Sequence, residues 1–308
     1  MHILIVGAGG TGGYFGGRLA ASGRDVTFLV RPKRADVLRS NGLSIRSSLG
    51  DMHVARPQLV TADQMDAQFN LIVLSCKAYD LGNAIESFAP AVGPTTAVLP
   101  LLNGMAHLAA LRNRFGAAAV LGGTCFVSST LASDGTIIHM NDTHSLTFGE
   151  LGGGLTSRVE AIAEQLSDAG FEAVLSENII QQMWNKWVFI AASAGMTCLM
   201  RSSIGNYVAS GAGPMASQLV DECAAVAAAA GYALSTAAVE SVRSYVTQAT
   251  SAISTSMLRD IESNSAIEAD QIIGDMLERA CKLGPSPILA TVYAHLKSYE
   301  TRRDPGEI

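Results

Sequence analysis

A glycine-rich loop lies between a strand and a helix at the start of this sequence. The apolar run at residues 2–6 leads into Gly7, and an amphipathic stretch at residues 14–21 stops before Gly23. This order is that of a βα unit that holds the pyrophosphate of a dinucleotide at a helix N-terminus. A glycine-rich turn without a ligand is the alternative. The loop fits G-x-G-x-x-G, and its candidate cofactor-binding residues are Gly7, Ala8, Gly9, Gly10, Thr11 and Gly12.

The residue after the second predicted strand bears on the choice of cofactor. Arg31 ends a β-rich run at residues 25–30 and lies 19 residues beyond Gly12. NAD enzymes place an acidic residue at about this position, where it accepts hydrogen bonds from the ribose hydroxyls. Arginine cannot accept those bonds but pairs with a 2′-phosphate, and Lys33 and Arg34 add positive charge. We therefore predict NADPH as the cofactor, with a solvated basic loop as the alternative.

The order of predicted elements indicates an α/β fold with two domains. Strands and helices alternate in the first half, which argues for a parallel sheet covered on both faces. We predict a Rossmann-type NADP-binding domain at residues 1–176 and an all-helical substrate and catalytic domain at residues 177–308. A hairpin at the sheet edge is expected from runs at residues 136–140 and 145–149. Further strands are predicted at 71–75, 96–100, 120–123 and 171–175, and helices at 79–89, 106–114, 156–169, 178–200, 214–230, 235–247, 261–283 and 288–300.

Composition and charge narrow the class of partner. The chain has 308 residues and a net charge of −6, which argues against a nucleic-acid partner because such proteins usually present a basic face. The longest apolar run, at residues 187–200, is too short to span a bilayer, so we expect no membrane association. The partner expected is a small molecule, and a homodimer is left open. The chain enters a strand without a leader and its five cysteines are scattered, which favours a cytoplasmic protein with reduced thiols.

A metal site is not expected. His139 and His144 lie near Asp142, but in the predicted hairpin rather than four residues apart on one helix. That arrangement lacks the ligand spacing typical of zinc sites.

Two polar residues follow predicted strands of the first half. Lys77 comes just after the strand at residues 71–75, and Asn103 follows the strand at residues 96–100, before Gly104. In an open α/β sheet, the carboxyl ends of the strands border the ligand crevice. Lys77 can therefore contact cofactor or substrate, and Asn103 can hold the nicotinamide ribose or the substrate. The alternatives are a surface lysine and an ordinary Asn-Gly turn.

The helical half carries four further candidates. Lys186 is the one charged residue between Glu177 and Arg201, at the edge of an apolar helix. A lysine there can act as a general acid, or it can extend its ammonium group into water. Arg201 can bind a carboxylate with its guanidinium fork or cap the last carbonyls of that helix. Ser256 can donate a hydrogen bond to a carboxylate, and Glu268 falls on a predicted helix; plain surface roles are the alternative for both.

Taken together, the order and spacing of these residues resemble the ketopantoate reductase (2-dehydropantoate 2-reductase) family over nearly the whole chain. The family reduces a 2-oxo acid with NADPH, using a nucleotide domain and a helical domain. The resemblance implies that Lys186 is the general acid and that Ser256 binds the substrate carboxylate. It also implies that Glu268 lies beside cofactor and substrate, and that Asn103 belongs to the site. The residues that carry the resemblance are the loop from Gly7 to Gly12, Arg31, Lys77, Asn103-Gly104-Met105, Trp184, Lys186, Ser256-Met257-Leu258, Asp260 and Glu268.

This sequence departs from the family at three positions. Family members have asparagines four and eight residues beyond the catalytic lysine, where this chain has Ile190 and Ala194, and a further family asparagine falls on Ile204. Sites that hydrogen-bond a substrate hydroxyl usually reject analogues that lack it, so these replacements imply a changed or relaxed substrate preference. The leading reaction is ketopantoate to pantoate, in pantothenate biosynthesis. The alternatives are the reduction of a more apolar 2-oxo acid and a non-catalytic NADP-binding regulatory protein.

Overall fold

The computed structural model describes residues 1–304, which form an α/β part followed by a helical part. The strands are β1 (Ile3–Val6), β2 (Val26–Leu29), β3 (Leu43–Arg46), β4 (Met52–Val54), β5 (Gln58–Val60), β6 (Phe69–Leu74), β7 (Val92–Pro100), β8 (Leu121–Leu131), β9 (Ile137–Glu150) and β10 (Glu172–Leu175). The α-helices are α1 (Gly10–Ala21), α2 (Pro32–Asn41), α3 (Leu81–Phe88), α4 (Ala106–Phe115), α5 (Ser157–Leu166), α6 (Ile179–Met200), α7 (Ile204–Tyr207), α8 (Gly213–Ala229), α9 (Thr236–Val246), α10 (Ser256–Glu262), α11 (Asp275–Ala280) and α12 (Pro287–Arg303).

The first sheet is the parallel sheet that the sequence predicts. Its strands run in the order β5-β2-β1-β6-β7, and every pair is parallel. All four residues of β1 are buried, which fits a central strand covered on both faces. Helix α1 packs closely on this sheet because Gly16 has no side chain. A Cβ at Gly16 would come within 2.7 Å of side-chain atoms of Ile5 and Phe28. The carboxyl ends of β1, β2 and β6 therefore meet beside the start of α1.

The predicted hairpin at residues 136–149 is wrong. Residues 137–150 form one long strand, β9, which pairs antiparallel with β8 in a second sheet of order β10-β9-β3-β4. The β8–β9 register shifts at the polar residues 141–144, and there the side chain of Asn141 accepts a hydrogen bond from the backbone nitrogen of Ser128. The actual turn lies between β8 and β9, with Gly135 at φ +88°.

The predicted helix at residues 261–283 is interrupted. α10 ends before Asn264, which has a φ of +53°, and the nitrogen of Ser265 donates to the carbonyl of Asp260. Helical structure resumes as a π-helical turn at Asp270–Gly274 and continues into α11. Glu268 therefore lies just before a helical turn rather than inside a long helix. Within residues 181–304 the structure contains helices and no strands, as the sequence predicts.

Contacts between residues divide the chain into two compact units. The first comprises Met1–Leu102 and His107–Ile180, and the second comprises Asn103–Ala106 and Gln181–Ile308. The short loop after β7, which contains Asn103, thus groups with the helical residues.

Within residues 1–304, no single helix has the length and apolar character to cross a membrane. Helix α6 and the segment from α7 to α8 meet the length and composition criteria only together, as a pair bent by 67°.

Candidate active site

The glycine loop has the backbone geometry that its sequence predicts. Gly7 has a φ of +95°, a conformation that side chains disfavour. A Cβ at Gly12 would overlap the carbonyl oxygen of Gly7 and the hydroxyl of Ser75, so only glycine fits where α1 meets the loop. A Cβ at Gly9, by contrast, would meet no atom of residues 1–304 within 4 Å. Packing therefore does not require glycine at position 9, and the space beside the loop at Gly9 is open.

Ser75 fixes the loop from the neighbouring strand. It follows β6, and its hydroxyl donates hydrogen bonds to the carbonyls of Val6 at 3.0 Å and Gly7 at 3.4 Å. Ser75 was not predicted. Its one signal is a serine at the end of an otherwise apolar strand, at the edge of the sheet where the loop lies.

The start of α1 suits an anionic ligand. The first backbone N–H groups of a helix lack partners within that helix and carry partial positive charge. No acidic side chain lies in the first turn of α1, and the N-cap residue is Gly9, which has no side chain to occupy these donors. The loop and helix start therefore fit the pyrophosphate of a dinucleotide.

Two arginines follow β2 and have different partners. Arg31 is highly exposed, and its guanidinium donates to the carboxylate of Asp80 at 2.9 Å. Arg34 is partly buried and donates to the carbonyls of Ala8, in the glycine loop, and Gly135. Burial lowers the pKa of Arg34 from its ordinary value. Arg34 thus supports the loop, whereas Arg31 is the accessible cation.

Lys77 is placed where the sequence predicts, just beyond the carboxyl end of β6. It is partly buried and precedes a short 3₁₀ turn at Ala78–Asp80 that leads into α3. The same turn supplies Asp80, so Lys77 and the partner of Arg31 lie three residues apart on one side of the first sheet.

Lys186 lies in the first half of α6 among aromatic side chains. Only 9 % of the residue is exposed, which disfavours an ammonium group extended into water. Trp184 and Trp187 flank it in sequence with ring centroids 4.9 Å apart, and the Arg279 guanidinium lies within 6 Å of both rings. The indole nitrogen of Trp187 donates to the carbonyl of Ile272 at 2.9 Å. This bond ties the Lys186 turn of α6 to the π-helical turn.

The Asn103 loop contacts the same π-helical turn. The side chain of Gln271 donates to the carbonyl of Asn103 at 3.0 Å. Gly104 has a φ of +75°, and a Cβ there would come within 2.5 Å of the Gln271 carbonyl. Gln271 was not predicted, because nothing in the local sequence shows a contact 168 residues away. Buried Glu268 precedes this turn and its carbonyl accepts from the nitrogen of Ile272. The structure thus brings together the segments that carry Lys186, Asn103 and Glu268.

One face of α6 runs from Lys186 towards Ser256. Residues at i+4, i+7 and i+11 share a helix face with residue i. The hydroxyls of Ser193 and Thr197 on this face donate to carbonyls of α6 itself, at 2.7 and 2.8 Å. The Thr197 hydroxyl is also 2.8 Å from that of Thr255, the residue before exposed Ser256. Between Lys186 and this contact, Ile190 and Ala194 present apolar groups; Ile204 is fully buried.

Arg201 lies at the opposite end of α6 from Lys186. Fourteen residues separate Lys186 from Met200, which places the end of the helix about 21 Å away at 1.5 Å per residue. The Arg201 side chain donates to His295 at 3.3 Å rather than to the last helix carbonyls. The Arg201 side chain therefore does not cap α6, and a carboxylate bound to it would lie far from Lys186.

Comparisons with known proteins identify the family. Residues 3–153 match the profile of ketopantoate reductase PanE/ApbA, and residues 178–300 match its C-terminal domain. An uncharacterized oxidoreductase of Bacillus subtilis, YkpB, is 39 % identical over 98 % of this chain and 100 % of its own length. The crystal structure of 2-dehydropantoate 2-reductase from Methylococcus capsulatus is 26 % identical with a TM-score of 0.87, covering 99 % of this chain and 98 % of its own.

A second structure extends the comparison of the fold. The ternary structure of D-mandelate dehydrogenase with NADH and anilino(oxo)acetate has a TM-score of 0.88 at 23 % identity, covering 98 % of this chain and 99 % of its own. The chain therefore belongs to the ketopantoate reductase family and is an oxidoreductase of that family.

Proposed function

We propose that this protein reduces a 2-oxo acid to a 2-hydroxy acid with NADPH, and that ketopantoate to pantoate is the leading substrate pair. The observation that carries the proposal is the position of Lys186, a lysine with 9 % exposure in the apolar helix α6. Family membership supports reduction of a 2-oxo acid as the reaction class.

Lys186 is assigned the chemical role. When bound, the reduced nicotinamide supplies the hydride that reaches the ketone carbon. The Lys186 ammonium donates a hydrogen bond to the ketone oxygen, stabilises the negative charge that develops there and transfers a proton to it. The nitrogen then recovers a proton from solvent. The proton and the hydride together convert the ketone to an alcohol.

The remaining residues are assigned to binding. Exposed Ser256 donates its hydroxyl to the substrate carboxylate, and Asn103 and Glu268 hold substrate and the nicotinamide ribose. The loop from Gly7 to Gly12 takes the pyrophosphate, Arg31 pairs with the 2′-phosphate, and Lys77 contacts cofactor. These assignments rest on the resemblance to the family and on the placement of each residue described above.

A second candidate substrate is a more apolar 2-oxo acid. The observation that favours it is the α6 face between Lys186 and Thr197, where Ile190 and Ala194 replace amide side chains and the two hydroxyls are bonded to the helix itself. The side chains of Ile190 and Ala194 cannot hydrogen-bond a substrate hydroxyl, and the Ser193 and Thr197 hydroxyls already donate their protons to α6 carbonyls.

A substrate panel tests the proposal. Purified protein with NADPH would be assayed against 2-oxo acids of increasing size, including ketopantoate, by loss of absorbance of the reduced nicotinamide. Turnover of at least one acid at more than 1 s⁻¹, about the lower end for enzymes, is the expected result. NADPH binding without turnover of any acid would favour the non-catalytic regulatory alternative.

We propose a homodimer in the cytoplasm as the working assembly. Light scattering after size-exclusion chromatography would give twice the chain mass of 32.1 kDa if the protein is a dimer.

A further inference from the structure

A cavity of about 550 Å³ lies within the helical unit, at the end of α6 remote from Lys186. Its volume is within the range of small-molecule sites. Three helices meet here, because Arg201 follows α6, Asn264 follows α10 and the other lining residues belong to α12. The lining consists of Arg201, Asn264, His295, Tyr299, Arg302 and Arg303.

Two lining residues have left-handed backbone conformations. Arg201 and Asn264 have φ values of +51° and +53°. Each follows a helix end at which the next backbone nitrogen donates back to the helix, from Ser202 to Thr197 and from Ser265 to Asp260. Glycine is the usual residue at such positions. An arginine at a site where glycine would suit the backbone better points to a use for its side chain.

The cavity is strongly cationic. Three arginines line it, and none of the lining residues among residues 1–304 is acidic. Two acidic residues at the end of α12 have cationic partners: Asp304 pairs with Arg303, and Glu300 pairs with Lys297. Among residues 1–304, the buried Nη1 of Arg303 has no hydrogen-bond partner. Burial, followed by the charges of Arg201 and Arg302, lowers the pKa of His295.

Complementing a helix dipole does not account for Arg201. Cations near a helix C-terminus commonly interact with its last carbonyls. Arg302 does so, donating to the carbonyl of Ser298 at 3.4 Å. Arg201 instead donates to the ring of His295 at 3.3 Å, and its guanidinium lies 5.4 Å from the ring centre of Tyr299. The guanidinium is thereby held over the cavity, with its terminal nitrogens available to a ligand.

We propose that this cavity binds a small dianionic oxyanion ligand, a phosphate ester or a dicarboxylate, on Arg201, Arg302 and Arg303. Guanidinium groups match the geometry of phosphate and carboxylate through paired N–H donors. Tyr299 and Asn264 supply further contacts to the rest of the ligand. The site is separate from the proposed reaction site, because α6 places Arg201 more than about 20 Å from Lys186.

The experiment uses the His295 ring as a local reporter. The full chain would be titrated with inorganic phosphate and separately with succinate, and His295 would be followed by NMR. A bound dianion raises the pKa of His295, since it offsets the charges of Arg201 and Arg302. Saturable binding of either dianion, at least tenfold tighter than acetate, is the expected result. The dianion that binds more tightly, phosphate or succinate, identifies the ligand class.

Arg201→Gly is the decisive variant. Glycine suits the left-handed backbone, so the midpoint temperature of thermal unfolding should stay the same or rise. The affinity for the dianion, measured at His295, should fall about 10- to 100-fold, the range for loss of a charge-assisted hydrogen bond. Arg112→Gln, an exposed arginine in the last turn of α4, is the matched control and should leave binding unchanged. Equal responses of His295 in wild type and Arg201→Gly would overturn the proposal.

Discussion

The guanidinium of Arg31 donates to the carboxylate of Asp80 at 2.9 Å, so the residue assigned to the 2′-phosphate already holds an anion. The pair joins the residue after β2 to the turn after β6. Both side chains retain solvent access, with 76 % of Arg31 and 33 % of Asp80 exposed. Exposed ion pairs contribute little to stability. We therefore expect Asp80 to compete with a 2′-phosphate for Arg31 and to be displaced by it.

The first prediction concerns cofactor preference. Arg31→Ala should weaken NADPH binding by about 10- to 100-fold, because it removes charge-assisted hydrogen bonds to the 2′-phosphate, and should leave NADH binding nearly unchanged. Asp80→Asn should strengthen NADPH binding and not NADH binding, because it removes the competing anion. Fluorescence titration of both cofactors measures this. Equal affinity of the wild type for NADH and NADPH would contradict the assignment of Arg31.

The second prediction separates two glycines of the loop. Gly12→Ala should lower the free energy of unfolding by about 1–3 kcal/mol, because its Cβ overlaps Ser75 and the Gly7 backbone. Gly9→Ala should leave stability unchanged, because the new Cβ would meet no atom of residues 1–304 within 4 Å. The same variant should abolish dinucleotide binding, because the Cβ would occupy the space that the pyrophosphate needs beside the loop. Urea denaturation and cofactor titration on both variants provide the measurements. If Gly9→Ala binds cofactor normally, the pyrophosphate does not approach this loop.

The third prediction concerns Lys186. Lys186→Ala should lower kcat by about 10²- to 10⁴-fold, the range for loss of general acid catalysis, with little change in NADPH affinity. Lys282→Ala, an exposed lysine of the same unit, is the control and should retain full activity. Steady-state kinetics on the best substrate of the panel would decide. Nearly normal turnover of Lys186→Ala would mean that this lysine is structural.

The glycine loop and the parallel sheet could be predicted because their signals are local. The G-x-G-x-x-G spacing and the apolar strands determine them directly, and Gly7 and Gly12 adopt the expected conformations. The hairpin prediction failed because both of its predicted runs pair with the same strand, β8, across a register shift where the Asn141 side chain accepts from Ser128. The helix break at Asn264 was missed although asparagine, like glycine, is a residue that adopts the left-handed conformation at helix ends.

The candidate site was predictable only in part, for a related reason. Lys186, Asn103 and Glu268 were identified individually by position and by resemblance. The contacts that connect their segments, Gln271 with Asn103 and Trp187 with Ile272, join residues 168 and 85 positions apart. Such pairings depend on how the helices pack, which periodicity within a single segment does not specify.

The fourth prediction concerns acid sensitivity. Burial, followed by the charge of Arg18, lowers the pKa of His144, whose Nδ1 lies 2.8 Å from the hydroxyl of Tyr14. The unfolded chain binds this proton more readily, so stability is fully present above the ordinary histidine pKa of about 6.5 and is lost as pH falls below it. Urea denaturation at pH 7.5 and 5.5 should show this loss. His144→Asn should reduce the pH dependence, whereas His53→Asn, at an exposed histidine, should not.

The last prediction concerns the apolar face of α6. If Ile190 and Ala194 shape the substrate site, a 2-oxo acid without the ketopantoate hydroxyl should be reduced nearly as well as ketopantoate. We expect kcat/KM values for ketopantoate and 2-oxo-3,3-dimethylbutyrate within about tenfold of each other, whereas a hydroxyl-binding site would discriminate by about 10⁴-fold or more. Ile190→Asn combined with Ala194→Asn should shift the preference towards ketopantoate, because the amides supply the missing hydrogen bonds. A large preference for ketopantoate in the wild type would show that other groups bind its hydroxyl, and the inference from Ile190 and Ala194 would fail.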